Sequence, residues 1–185
     1  MWAASRDLGR GCPPGTLGAR TCARHNGAVI SVRRAGSADA DQLMSLRAVM
    51  LADLGRTTSG DRDWRRAGIA LARELLGRGD VAAYVVDRPD GDGLAACVTG
   101  QIDQRLPGPR DPAGLRGYVY NVATLPAYRR RGYSRACMSA LLAWFAARDV
   151  GVVDLRASAA GEPLYASLGF RRTADPAMRL HLPPA

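Results

Sequence analysis

An arginine cluster beside a glycine is the most chemically informative feature of the sequence. Arg129, Arg130 and Arg131 precede Gly132, and the apolar spacing from Tyr133 onward predicts that a helix begins directly after them. Backbone N–H groups at a helix start attract anions, guanidinium groups bind phosphate oxygens, and glycine lets the backbone approach a ligand closely. The segment therefore predicts a pyrophosphate site, with a solvated, arginine-rich helix start as the alternative.

The residues before this cluster predict the strand that must hold it in place. Residues 118–124 alternate in character and are rich in Tyr and Val, which is typical of a β-strand. Pro126 has no N–H to donate, so the strand ends near it. The sequence therefore predicts a strand, an anion-binding turn and a helix, in that order.

Two motifs resemble the GCN5-related N-acetyltransferase (GNAT) family. Arg129, Gly132 and Ser134 stand at the spacing of the family's R/Q-x-x-G-x-G/A signature, except that Ser134 replaces Gly or Ala. Residues 155–170 resemble the family's later strand, short helix and Tyr-x-x-x-Gly-Phe ending, which begins at Tyr165. The resemblance covers roughly residues 29–182. It implies an α/β (α+β) fold with a central mixed, mostly antiparallel sheet, flanked by helices, whose central strands are splayed to admit coenzyme A.

The hydrophobic pattern predicts elements that suit this fold. The predicted strands are residues 28–34, 81–86, 94–102, 118–124 and 152–156, followed by terminal strands. The predicted helices are residues 37–54, capped by Ser37, then 61–76, 133–148 and a short helix after the last of the listed strands. Residues 1–27 lack a hydrophobic period and contain several Gly and Pro residues, which predicts a disordered extension. Residues 28–185 are then a single N-acetyltransferase domain.

The resemblance implies acetyl-CoA as cosubstrate. Backbone groups at the end of the central strand would hold the pantetheine arm, and the turn amides would hold the pyrophosphate. Arg135 would either reach the 3′-phosphate or lie in solvent, and Ser158 would either bind cofactor or acceptor or cap the short helix. The implied cofactor-binding residues are Val122, Ala123, Thr124, Arg129, Arg130, Arg131, Gly132, Tyr133, Ser134, Arg135 and Ser158.

The resemblance also implies direct attack of an amine on the acetyl thioester, without a covalent enzyme intermediate. Tyr165 matches the residue that protonates the departing thiolate, although a tyrosine packed beneath the cofactor is the alternative. A backbone N–H near Val122 would contact the developing oxyanion. Tyr120 and Asn121 flank the reaction line and could order a water that relays the proton.

The general base and the acceptor are not evident from the sequence. Its only glutamates, Glu74 and Glu162, lie off the central strand, and Asp53 would either bind an acceptor ammonium or lie on the surface. A small-molecule amine, such as an antibiotic or a polyamine-like metabolite, is the preferred acceptor. A protein N-terminus or side chain is the alternative, and so is a non-catalytic acyl-CoA sensor that lacks a base. The aromatic residues that would line an acceptor cleft or belong to the core are Trp64, Tyr84, Tyr118 and Tyr120.

Composition excludes several other kinds of chemistry. All 26 basic Lys and Arg positions are Arg, which is typical of bacterial-like high-GC coding. The lack of Lys excludes Walker A nucleotide binding and lysine Schiff bases. The net charge of +9 favours polyanions, but the basic residues are scattered and match no nucleic-acid-binding motif, so specific nucleic acid is not an expected partner.

Hydropathy and cysteine usage predict a cytoplasmic protein without a membrane segment or a metal. No apolar run approaches the roughly 20 residues of a membrane span, and no hydrophobic signal region is present. Cys97 and Cys137 fall in apolar patterns typical of buried free thiols. Cys12, Cys22 and His25 are too few and too irregular for a convincing metal site. The resemblance leaves a homodimer possible.

Overall fold

A six-stranded sheet lies at the centre of the molecule, with helices on both of its faces. The computed structural model describes residues 21–25, 28–56, 63–109 and 111–182. The strands are β1 Thr21–His25, β2 Ala28–Arg34, β3 Val81–Asp87, β4 Leu94–Gln104, β5 Leu115–Thr124 and β6 Val152–Leu155. The helices are α1 Ala40–Asp53, α2 Asp63–Leu76, α3 Tyr133–Ala146 and α4 Glu162–Ala166, with 3₁₀ turns at Ser37–Asp39 and Pro126–Tyr128. Neighbouring strands are consecutive in the chain, and all pairs are antiparallel except β5 with β6. This confirms the predicted mixed, mostly antiparallel sheet.

The central strand β4 is buried on both faces. Residues 94–100 are all buried, because Val98 belongs to the core cluster that contains α3 and Cys97 to the cluster that contains Leu43 of α1. A strand covered on both faces has a continuous apolar sequence instead of an alternating one. The run from Leu94 to Val98 therefore follows from its place between α1 and α3.

Phe145 anchors α3 to the sheet. Its side chain is fully buried, and its ring lies over Gly100 of β4 and Gly117 of β5. A Cβ added at either glycine would lie 2.8–2.9 Å from a ring carbon, closer than such atoms approach one another. The glycines thus leave the space that the ring fills. Because the turn that precedes α3 carries the arginine cluster, this packing also fixes the position of that turn.

Replacement of Phe145 by Ala should lower the free energy of unfolding by about 3–5 kcal/mol, since the substitution removes a buried ring and leaves a cavity. Urea denaturation followed by circular dichroism measures this change. Ser139→Ala provides a matched control on the exposed face of α3 and should change the free energy of unfolding by less than about 0.5 kcal/mol. A loss near 1 kcal/mol for Phe145→Ala would show that α3 is not anchored through this ring.

A β-bulge interrupts the pairing of β4 with β5. Cys97 pairs with Ala123 and Thr99 pairs with Tyr120, so Val98 alone faces the two residues Asn121 and Val122. Asn121 adopts a φ of 54°, a left-handed conformation that is uncommon outside glycine and asparagine. The extra residue leaves the local ladder and bends the strand. We call residues 121 and 122 the β5 bulge.

The sheet opens beyond the bulge. The pairing of β5 with β6 ends at Val119 and Leu155, whereas β5 continues to Thr124. Residues 120–124 therefore have an edge that β6 does not cover. This confirms the predicted splay of the central strands, and it leaves room for another extended group beside the end of β5.

The start of the first helix differs from the prediction. Ser37 does not cap it. Instead the Asp39 carboxylate accepts the N–H of Gly36 at 2.8 Å, and a 3₁₀ turn precedes α1. Arg33 donates to both Asp39 and Asp87, and its hydrogen bond to Asp39 holds the pKa of that carboxyl below its usual range. The contact with Arg33 on β2 therefore favours Asp39 over Ser37 at the start of the helix. The local pattern around Ser37 does not reveal this contact.

Two further differences lie near the ends of the chain. Residues 21–25 fall within the segment predicted to be disordered, yet they form β1, because the TCARH segment pairs along its whole length with β2. The rest of that segment, residues 1–20 and 26–27, lies outside the described residues. The predicted terminal strands are absent from residues 171–182. There Thr173 donates to the carbonyl of Asp175 in a turn, and Pro176, which has no N–H, follows it.

Candidate active site

A cleft of about 1120 Å³ lies where the sheet opens. Its walls are the end of β5, the turn before α3, the first residues of α3, the end of α1 and the segment from Ser158 to Tyr165. We call it the β5–α4 cleft. Its volume and its position suit an extended ligand that enters beside β5.

The turn at the start of α3 is built to accept an anion. Arg130 and Gly132 have φ values of 64° and 80°, so the chain turns sharply and brings successive N–H groups to one side. Gly132 stands at the N-cap position and has no side chain with which to cap the helix. The first intrahelical bond runs from the N–H of Ala136 to the carbonyl of Gly132. The N–H groups of residues 133–135 therefore have no partners within the helix. These residues line the β5–α4 cleft, where the helix dipole favours negative charge.

Side-chain contacts hold this turn against β5. The hydroxyl groups of Thr124 and Ser134 lie 2.7 Å apart and share a hydrogen bond. This contact requires a hydroxyl at residue 134, which accounts for the departure from Gly or Ala at that position of the signature. The strand end and the helix start are thereby joined directly.

The three arginines of the cluster have different surroundings. The Nε of Arg129 donates to the carbonyl of Thr124 at 3.1 Å, and its Nη2 donates to Asp53 at 2.7 Å. Arg130 is exposed and lines the cleft. Arg131 lies 5.4 Å from the centre of the Tyr128 ring and is not among the residues that line the cleft. Arg129 therefore positions the turn, and Arg130 is the guanidinium most available to a ligand.

Two other predicted cofactor residues make contacts with the protein itself. Arg135 donates to the hydroxyl of Ser167, the residue that follows α4, at 2.6 Å, and it also lines the cleft. Ser158 accepts the N–H of Gly161 at 3.2 Å, in the turn that precedes α4. Ser158 still lines the cleft together with Val122, Ala123 and Thr124.

Tyr165 lies on α4 at the inner wall of the same cleft. Its side chain is buried, and its ring packs edge-on against Phe170 with 6.1 Å between the ring centres. Burial raises the pKa of the phenol above its ordinary value. The hydroxyl therefore stays protonated at neutral pH, which is the state required of a proton donor.

A second cavity lies on the opposite side of the β5 bulge. It has a volume of about 460 Å³ and lies between α1, α2 and the strands β3, β4 and β5. We call it the α1–α2 cavity. Tyr120 and Asn121 line it, whereas Val122 lines the β5–α4 cleft. The bulge thus places the two sites on adjacent residues of one strand.

Asn121 has an unusual environment in this cavity. The residue is 8% exposed, and its Oδ1 is buried without a hydrogen-bond partner among the described residues. Its Nδ2 makes only a long contact, 3.7 Å, to the sulfur of Cys97. An unpaired buried oxygen costs stability, so a donor that reached Asn121 Oδ1 would stabilise it.

The cavity also contains a residue that sequence reasoning missed. Arg47 lies on α1 between Leu43 and Met50, on the stripe of the helix that faces the sheet, and it lines the α1–α2 cavity. A charged residue within an apolar stripe was the available signal. The buried thiols, by contrast, are not suited to nucleophilic attack. Burial raises the pKa of Cys97 to about 12 and raises that of Cys137.

Asp53 lines the β5–α4 cleft and forms an ion pair with Arg129. For the acetyl-CoA cosubstrate and amine acceptor that the family resemblance implies, replacement of Asp53 by Asn should raise KM for acetyl-CoA only a few-fold, because the pair is half-exposed and such pairs contribute about 0–1 kcal/mol. The KM for the amine should not change. Steady-state kinetics with each substrate varied in turn measures both values. A selective rise in the amine KM would instead identify Asp53 as the group that binds the acceptor ammonium.

Comparison with known proteins identifies the fold and the family. The sheet that opens between β5 and β6, with an uncapped helix start at the opening, is the arrangement of the GNAT fold. The model of the Acetyltransferase (GNAT) family matches residues 50–170. The chain belongs to the acetyltransferase (GNAT) family.

The structural neighbours support the same fold. A predicted acetyltransferase from Clostridium acetobutylicum, solved with acetyl-CoA, superimposes with a TM-score of 0.71 at 22% identity, over 81% of this chain and 94% of that one. A GCN5-related N-acetyltransferase from Ralstonia eutropha gives 0.70 at 24% identity, over 80% and 97%. An aminoglycoside acetyltransferase from an uncultured soil sample gives 0.62 at 20% identity, over 83% and 97%.

One curated relative is a larger protein. The chain is 32% identical over 123 residues to a protein named isopentenyl-diphosphate delta-isomerase from Xanthobacter autotrophicus. That match includes 66% of this chain but spans only about a third of the relative, 34% of its length.

Among the helices of the described residues, none has the length and hydropathy needed to cross a membrane.

Proposed function

We propose that this protein transfers the acetyl group of acetyl-CoA directly to a primary amine of a small molecule. The observation that carries the proposal is the β5 bulge, whose adjacent residues Asn121 and Val122 each line a different site. On one side lies a cleft with an anion-binding turn and a protonated tyrosine, and on the other lies a mostly apolar cavity with an amide oxygen that is unpaired among the described residues.

The residues of the β5–α4 cleft fit acetyl-CoA. Amide groups of residues 133–135 lack helical partners, and Arg130 and Arg135 add positive charge at the cleft wall, so a pyrophosphate is well matched. The open edge of residues 120–124 can accept an extended arm through main-chain hydrogen bonds. The thioester would then lie near the bulge, with Tyr165 on the facing wall.

The residues around the bulge account for each proton and charge in the transfer. The neutral amine attacks the acetyl carbonyl from the side of the α1–α2 cavity, the carbon–sulfur bond breaks, and Tyr165 donates its phenolic proton to the sulfur. The proton that the attacking nitrogen loses as the amide forms then passes through water to the Tyr165 phenolate and restores the phenol. A backbone N–H at Val122, where the bulge disturbs the ladder, contacts the carbonyl oxygen as negative charge develops there. Asn121 Oδ1 accepts an N–H of the amine and orients it. Since no Asp, Glu or His lines either site among the described residues except Asp53, which is paired with Arg129, the ammonium proton leaves through water.

Incubation of the purified chain with acetyl-CoA and a panel of amines tests the proposal. Thiol release should depend on the amine, and mass spectrometry should show the acetylated amine in equal amount. A protein acceptor is disfavoured because α1 and α2 wall the cavity on one side. Acetylation of lysate proteins without acetylation of small amines would reverse that assignment.

A non-catalytic acyl-CoA-binding role is the second candidate. The observation that favours it is the shortage of a carboxylate or imidazole base in the described site. It predicts acetyl-CoA binding without thiol release for any amine in the panel, and activity with one amine excludes it.

A further inference from the structure

We propose that the acceptor is an apolar amine that carries a carboxylate, of the class of the hydrophobic α-amino acids. The proposal rests on the transferase function above and names the substrate class of the same site. It follows from the walls of the α1–α2 cavity, from the state of Arg47 and from the position of Asn121.

The walls of the cavity are mostly hydrocarbon. Leucines and other apolar side chains of α1 and α2 form them, including Leu43, Met44, Trp64, Leu71 and Leu75. A volume of about 460 Å³ lies in the range of small-ligand sites. Leu71 is 53% exposed even though it faces a concave apolar surface, and a hydrocarbon ligand would cover it. An apolar body of amino acid size therefore suits this space.

Arg47 is the charged residue of this wall, and it has no ion-pair partner in the part of the chain that the structure describes. Among the described residues no carboxylate lies within ion-pair distance of it, whereas Arg33, Arg78, Arg116, Arg129 and Arg172 each contact an Asp or Glu. Asp80, whose charge acts on Tyr120, is held by Arg78 at 2.6 Å. A half-buried guanidinium without a counter-ion is poorly solvated, so an anionic group of the ligand would satisfy it.

Arg47 shares the cavity with the residues at its reacting end. It lines the α1–α2 cavity together with Tyr120 and Asn121. Tyr120 precedes Asn121, whose buried Oδ1 awaits a donor. A ligand with an amine at Asn121 and a carboxylate at Arg47 would satisfy both groups at once, with its side chain along α1 and α2.

The same charges disfavour polycationic acceptors. The described lining of the α1–α2 cavity contains Arg47 and no Asp or Glu, so an aminoglycoside or a polyamine would gain no counter-ion and would be repelled by the guanidinium. The sequence hypothesis of an antibiotic or polyamine-like acceptor is therefore not the one that this cavity favours.

Acetyl transfer to matched amines tests the class. L-phenylalanine, L-leucine, L-phenylalaninamide, phenethylamine, spermidine and kanamycin are compared by kcat/KM with saturating acetyl-CoA. The two amino acids should exceed the amide and the decarboxylated amine by roughly 10- to 100-fold, the range expected for a hydrogen bond to a charged group. Preference for spermidine or kanamycin would overturn the proposal and leave the transferase function intact.

Variants separate the charge from the shape of the cavity. Arg47→Met keeps the length of the side chain and should abolish the advantage of phenylalanine over phenethylamine, whereas Arg66→Met, on the exposed face of α2, should leave it unchanged. Gly68→Ala places a Cβ where the Met44 side chain lies 2.2 Å away, so Met44 must shift, and larger acceptors should lose more activity than smaller ones. An unchanged preference in Arg47→Met would overturn the proposal.

A direct binding measurement distinguishes failure of the proposal from failure of the transferase function. Calorimetric titration of L-phenylalanine into the protein with coenzyme A present should show saturation that Arg47→Met abolishes. Binding of L-phenylalanine without acetylation of any amine would overturn the transferase function and support the ligand class. Acetylation of other amines without this binding would overturn the ligand class and support the transferase function. Absence of both binding and turnover would overturn both proposals.

Discussion

Replacement of Tyr165 by Phe is expected to lower kcat for acetyl transfer by about 100-fold or more, the range in which a positioned general acid contributes. The phenol lies buried at the inner wall of the β5–α4 cleft, and burial keeps its pKa above the ordinary value. The substitution removes only the proton donor, because the ring and its edge contact with Phe170 remain. Steady-state kinetics and calorimetric titration should show a lower kcat with an unchanged affinity for acetyl-CoA.

The pH dependence of the same reaction follows from the direction of that shift. A donor acts only while protonated, and a raised pKa keeps Tyr165 protonated up to at least its ordinary value of 10.0. The wild-type rate should therefore not fall through Tyr165 between pH 7 and about 10. Tyr84→Phe, a half-buried tyrosine outside both sites, should leave kcat and its pH profile unchanged. Undiminished turnover in Tyr165→Phe would refute the acid assignment.

Replacement of Gly132 by Val is expected to weaken acetyl-CoA binding by about 10- to 100-fold. Gly132 has a φ of 80°, and a β-branched residue held in that region costs of order 1–3 kcal/mol. The strain would shift the N–H groups at the start of α3 away from the anion. Calorimetric titration of acetyl-CoA measures the loss, and circular dichroism shows whether α3 remains folded.

Gly151→Ala provides the matched control for this substitution. Gly151 lies in the loop between α3 and β6, has an ordinary φ, and a Cβ there would meet no atom within 4 Å. Its acetyl-CoA affinity should equal that of the wild type. Equal affinity in Gly132→Val would mean that the turn does not hold the cofactor.

The local parts of the account could be predicted from the sequence. The turn from Arg129 to Ser134 could be predicted because a strand, the strand-ending Pro126, a glycine and a helix follow one another within a few residues. The pairing of β3 with β4 could be predicted in the same way, since a short polar turn separates two apolar runs. Such features depend on neighbours in the chain.

The parts that depend on distant residues could not be predicted. The bulge at Asn121 arises from the register of β5 against β4, and periodicity within β5 does not reveal it. Arg129 bonds to Asp53, a residue 76 positions away, which the sequence around Arg129 does not reveal, and its contact with phosphate stays a prediction. Arg47 becomes a candidate ligand-binding residue only because α1, α2 and β5 together form the cavity that it lines. Each of these contacts joins segments whose mutual position the fold decides.

Calorimetric titration of the protein with acetyl-CoA tests the central claim most directly, with 3′-dephospho-coenzyme A and ATP as controls for unspecific attraction to a basic protein. The account predicts saturable binding of acetyl-CoA at one site per chain, tighter than either control. Absent binding, or equal binding of all three compounds, would contradict it.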